Sequence, residues 1–172
     1  RAHDRIYALV RAVACGSAPM DEMLAEAVAR AETPLASIQL IEGDGCGVPD
    51  LDAAEVQAVQ RSWGEHRPGG PLVGLGSVKG NVGHCFRAAA AAAILKTALA
   101  LRRKVLPPQM PTERPIESLA NLGSSVYVLN EVRPWITGDP RSPRRALVLM
   151  GDFSDRRAAL VLEEEPTMED RA

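Results

Sequence analysis

The sequence predicts an α/β fold, a mixed sheet with helices packed on it. Three observations lead there. Short apolar, β-branched runs recur at residues 5–14, 38–42, 72–75, 126–129, 146–150 and 158–162. Segments with helical spacing or helix-forming composition separate them, the longest at residues 85–104. Strands that alternate with helices bury both faces of a sheet under helical layers. The third observation is size and balance: 172 residues, 46% hydrophobic and 24% charged, suffice for one globular core but not comfortably for two.

Each element has a local cause. Residues 5–14 (RIYALVRAVA) are apolar and β-branched enough for a strand. Ser17-Ala18-Pro19 opens a helix on which Met23, Leu24, Ala27 and Val28 recur on one face, and Pro34 closes it. Residues 38–42 (IQLIE) form a short buried strand, ending in a glycine-punctuated turn over 43–49. Asp52 and Glu55 then read as a capping-box start for a helix whose apolar face carries Val56 and Val59. A strand at 72–75 leads into a polar, glycine-broken loop over 76–83. The alanine-rich helix at 85–104 ends on Arg102, Arg103 and Lys104, which suit its negative C-terminal end, and Pro107 and Pro108 stop it. A proline-rich loop runs to Gly123, and the strands at 146–150 and 158–162 flank a short turn, as in a hairpin. The acidic stretch 165–172 reads as a tail, so the packed unit is 1–164.

Composition narrows the function. A net charge of −2 offers no basic field for nucleic acid or an anionic membrane surface, and 3% aromatics leave no base-stacking platform. The longest apolar run, 88–95, is too short to span a bilayer. Cys15, Cys46 and Cys85 are an odd number without paired spacing, which fits a reducing compartment and predicts a cytoplasmic protein. His3, His66 and His84 are scattered, so no metal site is expected, and the glycine-rich loops lack G-x-G-x-x-G. Opening on Arg1 without an initiator Met, the chain reads as an excerpt of a longer polypeptide.

Three strand-following loops carry the functional signal. They are Glu42-Gly-Asp-Gly-Cys-Gly-Val-Pro49, Ser77-Val-Lys-Gly-Asn-Val-Gly-His84 and Met150-Gly-Asp-Phe-Ser-Asp-Arg-Arg-Ala-Ala159. Their order and content resemble the β-ketoacyl synthases of polyketide and fatty-acid synthases, members of the thiolase superfamily, which write E-A-H-G-T-G-T-P, S-V-K-x-N-I-G-H and S-F-G-F-G-G-T-N-A-H. Asp52 and Glu55 match what remains of that family's G-D-P-x-E. Val105-Leu-Pro-Pro108, Ser125-Val-Tyr-Val128, Arg133-Pro-Trp135 and the ending at 160–164 extend the likeness over most of the chain. The second motif is highly specific; the other two are recognisable mainly by position.

The resemblance implies a thiolase-like C-terminal half that needs an N-terminal half to complete a layered fold. In this family a Cys nucleophile from the N-terminal half holds one acyl chain, and two His side chains stabilise the enolate and oxyanion of the other. His84 matches the second His and Lys79 the family's active-site Lys. The first His is replaced by Asp44, an acceptor-only anion. Losing one oxyanion donor costs roughly 3 to 4 kcal/mol. A negative charge about 4 Å from an enolate opposes it by ~4 kcal/mol. Condensation is therefore disfavoured twice over, and a Lys79–Asp44 ion pair is conceivable in the emptied site. Cys46 and Val48 stand where two Thr hydroxyls hold the pantetheine arm. Phe153 aligns with a residue whose amide helps form the oxyanion hole, and an ordinary core Phe accounts for it equally well. Arg156 and Arg157 are expected to pair with Asp152 or Asp155.

The resemblance thus implies a degenerate, chain-length-factor-like ketosynthase partner that shapes an acyl tunnel. The alternative is a divergent condensing or decarboxylating enzyme using His84 and Lys79 with a Cys from the missing half, and a third reading is a scaffold that only docks neighbouring modules. The implied partners are the N-terminal half, an active ketosynthase or identical copy as a dimer, and an acyl carrier protein. No cofactor is expected on the chain itself beyond a phosphopantetheine-linked acyl substrate.

Overall fold

A computed structural model describes residues 5–64, 72–152 and 155–166. The chain order is β1 (Leu9–Gly16), α1 (Met20–Arg30), β2 (Ile38–Glu42), α2 (Pro49–Gly64), β3 (Val73–Gly76), α3 (Lys79–Val82), α4 (Ala88–Arg103), β4 (Val105–Leu106), α5 (Glu117–Ala120), β5 (Val126–Val128), β6 (Arg133–Pro134), β7 (Arg145–Gly151) and β8 (Arg157–Glu163). Six strands form one mixed sheet in the order β1-β8-β7-β2-β3-β5, and β4 pairs with β6 in a small ribbon. β7, β2, β3 and β5 run parallel, while β8 is antiparallel to both β7 and β1. The predicted hairpin is thus β7–β8.

Alternation along the central strands splits the interior in two. Leu147, Leu149, Ala159 and Val161 face α1 and α2, where Met23, Leu24, Val28, Val56, Val59 and Trp63 pack. Ala146, Val148, Leu160 and Leu162 face the other way, toward α4, Leu106 and Trp135. β2 breaks strict alternation, with Ile38 on the first side and Leu40 on the second. The cause is a register shift between Ile38 and Leu40 where β2 meets β7. Both faces are covered, so these strands read as continuous apolar runs.

Several boundaries move. β1 begins at Leu9 rather than at residue 5, and α4 begins at Ala88 rather than at 85. The loop over 76–83 contains a helical turn, α3; β4 lies between the end of α4 and Pro107, and the proline-rich stretch contains α5. Asp52 and Glu55 do not cap α2. That helix starts at Pro49, which suits a first helical position because its missing N–H is not needed there. The two acids are left free to reach into the preceding loop. The acidic end is only partly described: β8 ends at Glu163, Glu164 still pairs with Arg144 and Lys104, and residues 167–172 lie outside the described residues. None of the described helices is long and apolar enough to cross a membrane.

Candidate active site

The parallel strands β2, β3 and β7 end side by side, and the three motif loops leave from those ends. That arrangement brings Asp44, Lys79 and His84 to one cleft of about 440 Å³, also lined by Phe86, Ala93 and Met150. The third loop adjoins Asp44: a Cβ built on Gly151 would lie 3.6 Å from Asp44 Oδ2.

Two acids fix the loops, Glu42 buried and Glu55 half-buried. Glu42, the last residue of β2, has no exposed surface. Its Oε1 accepts the Val78 N–H at 2.5 Å, and its Oε2 pairs with Lys96 Nζ from α4 at 2.7 Å. Burial pushes the Glu42 carboxyl up from the ordinary range, and Lys96 opposes that shift. Glu55, one turn and a half into α2, reaches back to accept the Asp44 N–H at 2.6 Å and the Gly45 N–H at 2.9 Å. Asp52 accepts the Gly47 N–H at 3.1 Å. Gly45 and Gly47 hold φ of +51° and +83°, a region open to glycine. A side chain at Gly45 would also meet Ser77 Oγ at 3.0 Å. Sequence reasoning missed this clamp because D-x-x-E satisfies a helix-capping pattern; a proline three residues before Asp52 was the available sign that the helix starts earlier.

Within this frame Lys79 Nζ lies 2.5 Å from Asp44 Oδ1, and both side chains are largely withdrawn from solvent, at 8% and 14% exposure. The Ser77 hydroxyl donates to the Asp44 carbonyl at 3.1 Å, tying the two loops together a second time. Asp44→Ala should therefore destabilise the domain by about 2 kcal/mol. This is less than for a fully isolated buried ion, because the Glu42 charge also acts on Lys79. Urea unfolding with Lys79→Met as the companion variant checks this. If the two single variants and the double variant all match wild type, the pair is a surface accident.

His84 lies between α3 and α4, four residues ahead of Ala88. Its Nδ1 accepts the Phe86 N–H at 3.2 Å. A neutral imidazole that accepts at Nδ1 carries its proton on Nε2. Phe86 is unusual: φ is +49° and the residue is 74% exposed, with its ring centroid 5.2 Å from the His84 ring. Left-handed backbone in a bulky residue costs of order 1–3 kcal/mol and is a mark of functional sites.

The remaining predicted positions separate. Cys46 is half-buried and lines a neighbouring cleft with Asp44, Asp52, Glu55 and His84. Burial pushes its thiol up, and the charges of Asp52 and Asp44 add to the effect, which makes it a poor nucleophile. Val48 is exposed at the loop's outer edge. Phe153 lies outside the described residues. Arg157 meets Asp155 at 3.4 Å, whereas Arg156 meets Asp152 through its backbone, its N–H donating to Oδ1 and its carbonyl accepting the Asp152 N–H. Among the described residues no group of three or more His, Cys, Asp and Glu could hold a metal ion.

Comparison with known proteins agrees with this arrangement. The family model for the beta-ketoacyl synthase C-terminal domain matches residues 10–113. Polyketide synthase GfsE of Streptomyces halstedii is 37% identical over 142 residues, 83% of this chain and 4% of that protein. The spectinabilin polyketide synthase system protein NorA' of Streptomyces orinoci is 36% identical over 146 residues, 85% of this chain and 4% of that protein. Among solved structures, the ketosynthase from module 6 of the bacillaene synthase of Bacillus subtilis superposes with a TM-score of 0.86 at 28% identity, over 96% of this chain and 33% of that one. An oxazolomycin ketosynthase domain from Streptomyces albus gives 0.83 at 27% identity, over 96% of this chain and 31% of that one. The chain therefore spans about a third of a solved ketosynthase and a few per cent of the curated synthases. With the loops, the sheet order and the matched residues in agreement, this chain belongs to the beta-ketoacyl synthase C-terminal domain family, of the thiolase superfamily and as found in polyketide synthases.

Proposed function

We propose that this chain is part of a ketosynthase-like unit that has lost decarboxylative condensation and, like a chain-length factor, pairs with an active ketosynthase to shape its acyl tunnel. The observation that carries the reading is the Asp44–Lys79 ion pair. Where the family resemblance expects a hydrogen-bond donor for a developing oxyanion, a carboxylate already holds the neighbouring ammonium. Substrate would have to break that pair and then face a negative charge. The remainder of the domain is the first partner. α4 presents Ala88, Ala91, Leu95 and Leu99 outward, an uncharged stripe that a single half leaves uncovered. An acyl carrier protein delivering a phosphopantetheine-linked chain, a second ketosynthase in a dimer and a cytoplasmic setting complete the proposal.

One observation favours a second reading. His84 lines the same cleft as Lys79 and Asp44, as a divergent condensing or decarboxylating enzyme would need of it, with Lys79 and a Cys from the missing half. Malonyl-carrier decarboxylation and condensation, measured on the intact parent polypeptide with any co-purifying subunit, separate the two. We expect an inert wild type, and a His84→Ala substitution that leaves the partner complex's rate unchanged. Loss of a measurable wild-type rate in His84→Ala would establish the enzyme instead. Asp44→His alone should not restore turnover, because it strands Lys79.

A further inference from the structure

We propose that Gln109 is a positioning residue of the cleft: through Ser77 it sets the backbone that carries Lys79, and so holds Lys79 against Asp44. The inference rests on the proposed function only for what the held pair does to a substrate; the brace itself is a matter of geometry.

Three consecutive N–H groups beyond β3 are each given to a side-chain oxygen. Gln109 Oε1 accepts the Ser77 N–H at 2.6 Å, Glu42 Oε1 accepts that of Val78, and Ser77 Oγ accepts that of Lys79 at 3.3 Å. The backbone leading into Lys79 is therefore fixed from two distant segments, β2 and the stretch beyond β4, just where α3 begins. Gln109 is itself held. Pro107 and Pro108 restrict the chain that leads to it. Its own N–H donates to the Leu129 carbonyl at 2.5 Å, and the Leu129 N–H donates to the Leu75 carbonyl at 3.1 Å, so brace and loop are both referred to β3. The side-chain amide also approaches α3: a Cβ built on Gly80 would come within 3.1 Å of Gln109 Nε2 and 3.2 Å of Met110 Cβ. Gln109 thus meets the loop at Ser77 and at Gly80, on either side of Lys79.

The coupling to the ion pair runs through one hydroxyl. Ser77 is buried, and its Oγ donates to the Asp44 carbonyl while accepting from the Lys79 N–H. A buried N–H without an acceptor is costly, so loss of the Gln109 oxygen obliges the Ser77 backbone to turn toward another partner. That turn moves the hydroxyl, and with it the anchor of both members of the Asp44–Lys79 pair. Lys96 is the contrast. Glu42 holds Lys96 and Val78 with its own two oxygens, so that anchor survives a change at Gln109.

Reductive methylation of the intact parent polypeptide with formaldehyde and cyanoborohydride tests the brace, taken to low extent and read by mass spectrometry of the Lys79 and Lys96 peptides. The two side chains are comparably withdrawn from solvent, at 8% and 15% exposure, so each is the other's control. Gln109→Leu, similar in size but without the acceptor, should raise the Lys79 rate several-fold and leave the Lys96 rate as in wild type. Gln109→Glu, which keeps an oxygen for the Ser77 N–H, should return Lys79 to slow modification. A rise at both lysines together would mean that Gln109 only stabilises the fold, and equal Lys79 rates in all three proteins would mean that it holds nothing; either result overturns the proposal. If Gln109→Leu does not fold, Gln109→Asn takes its place: its oxygen falls short of Ser77, so Lys79 must react faster than in Gln109→Glu, and a slow Lys79 there overturns the proposal equally. The readout requires no turnover. A parent polypeptide that decarboxylates malonyl thioesters would sink the degenerate reading and leave the brace standing.

Discussion

Lys96→Met should lower the stability of the domain by about 3–5 kcal/mol, the largest loss expected from any single polar substitution here. Glu42 has no exposed surface, and its carboxylate has two direct partners, the Val78 N–H and Lys96 Nζ. Removing the ammonium leaves a charge inside the protein with one neutral donor and the more distant Lys79. The group then escapes the cost by taking up a proton, so the deficit should shrink as pH falls toward 5. Glu42→Leu combined with Lys96→Met should recover part of the loss, because no unpaired charge is left inside, while the Val78 N–H still loses its acceptor. Urea unfolding at pH 5 and pH 8 tests both statements. A Lys96→Met protein as stable as wild type at pH 8 would mean that water reaches Glu42.

The second large effect is a pH dependence with an unusual sign. Burial, with the nearby charges of Asp44 and Asp52 adding to it, raises the Glu55 carboxyl from 4.5 to about 7 against the two loop N–H bonds that favour its charge. A carboxyl raised on folding binds more protons in the folded state than in the unfolded one throughout that window. Stability then falls as pH rises from 4.5 to 7, and levels off above it. The shift corresponds to about 3 kcal/mol. Glu164 works in the opposite direction, held low by Arg144 and Lys104 despite its burial. The clean measurement is thus the difference between wild type and Glu55→Gln across the pH range. It should favour wild type near pH 5 and vanish or reverse near pH 8. Parallel curves would mean that Glu55 stays hydrated.

Much of this was legible in the chain, for identifiable reasons. Residues 38–42 form β2 with the expected bounds, because an apolar, β-branched run bounded by glycine has few other uses. The β7–β8 hairpin was equally clear, since both strands are buried on two faces and the segment between is short. The ribbon was not. β6 is the two residues Arg133 and Pro134, too brief for any period, and only its pairing with Val105 and Leu106 reveals it. α3 was hidden for a similar reason: four residues including Gly80 carry no helical pattern, and the turn is set by the loop's attachment to Glu42. At the site, the motifs located Asp44, Lys79 and His84 as neighbours. The clamp by Glu55 stayed invisible, because capping and loop-bracing use the same residue types and differ only in where the helix begins. Phe86 could not be singled out either, as a positive φ leaves no trace in a single sequence.

The place of β1 in the sheet has a consequence for synthesis. Its one sheet partner among the described strands is β8, with Ala14 opposite Ala159. β1 therefore waits for β8, the latest of these described strands to be made. Until β8 is made, a nascent chain carries Val10 and Val13 on an unpaired edge, and a pairing so distant in sequence closes slowly. Fragments ending before residue 157 should consequently be captured by chaperones or lost to aggregation, however well their helices form.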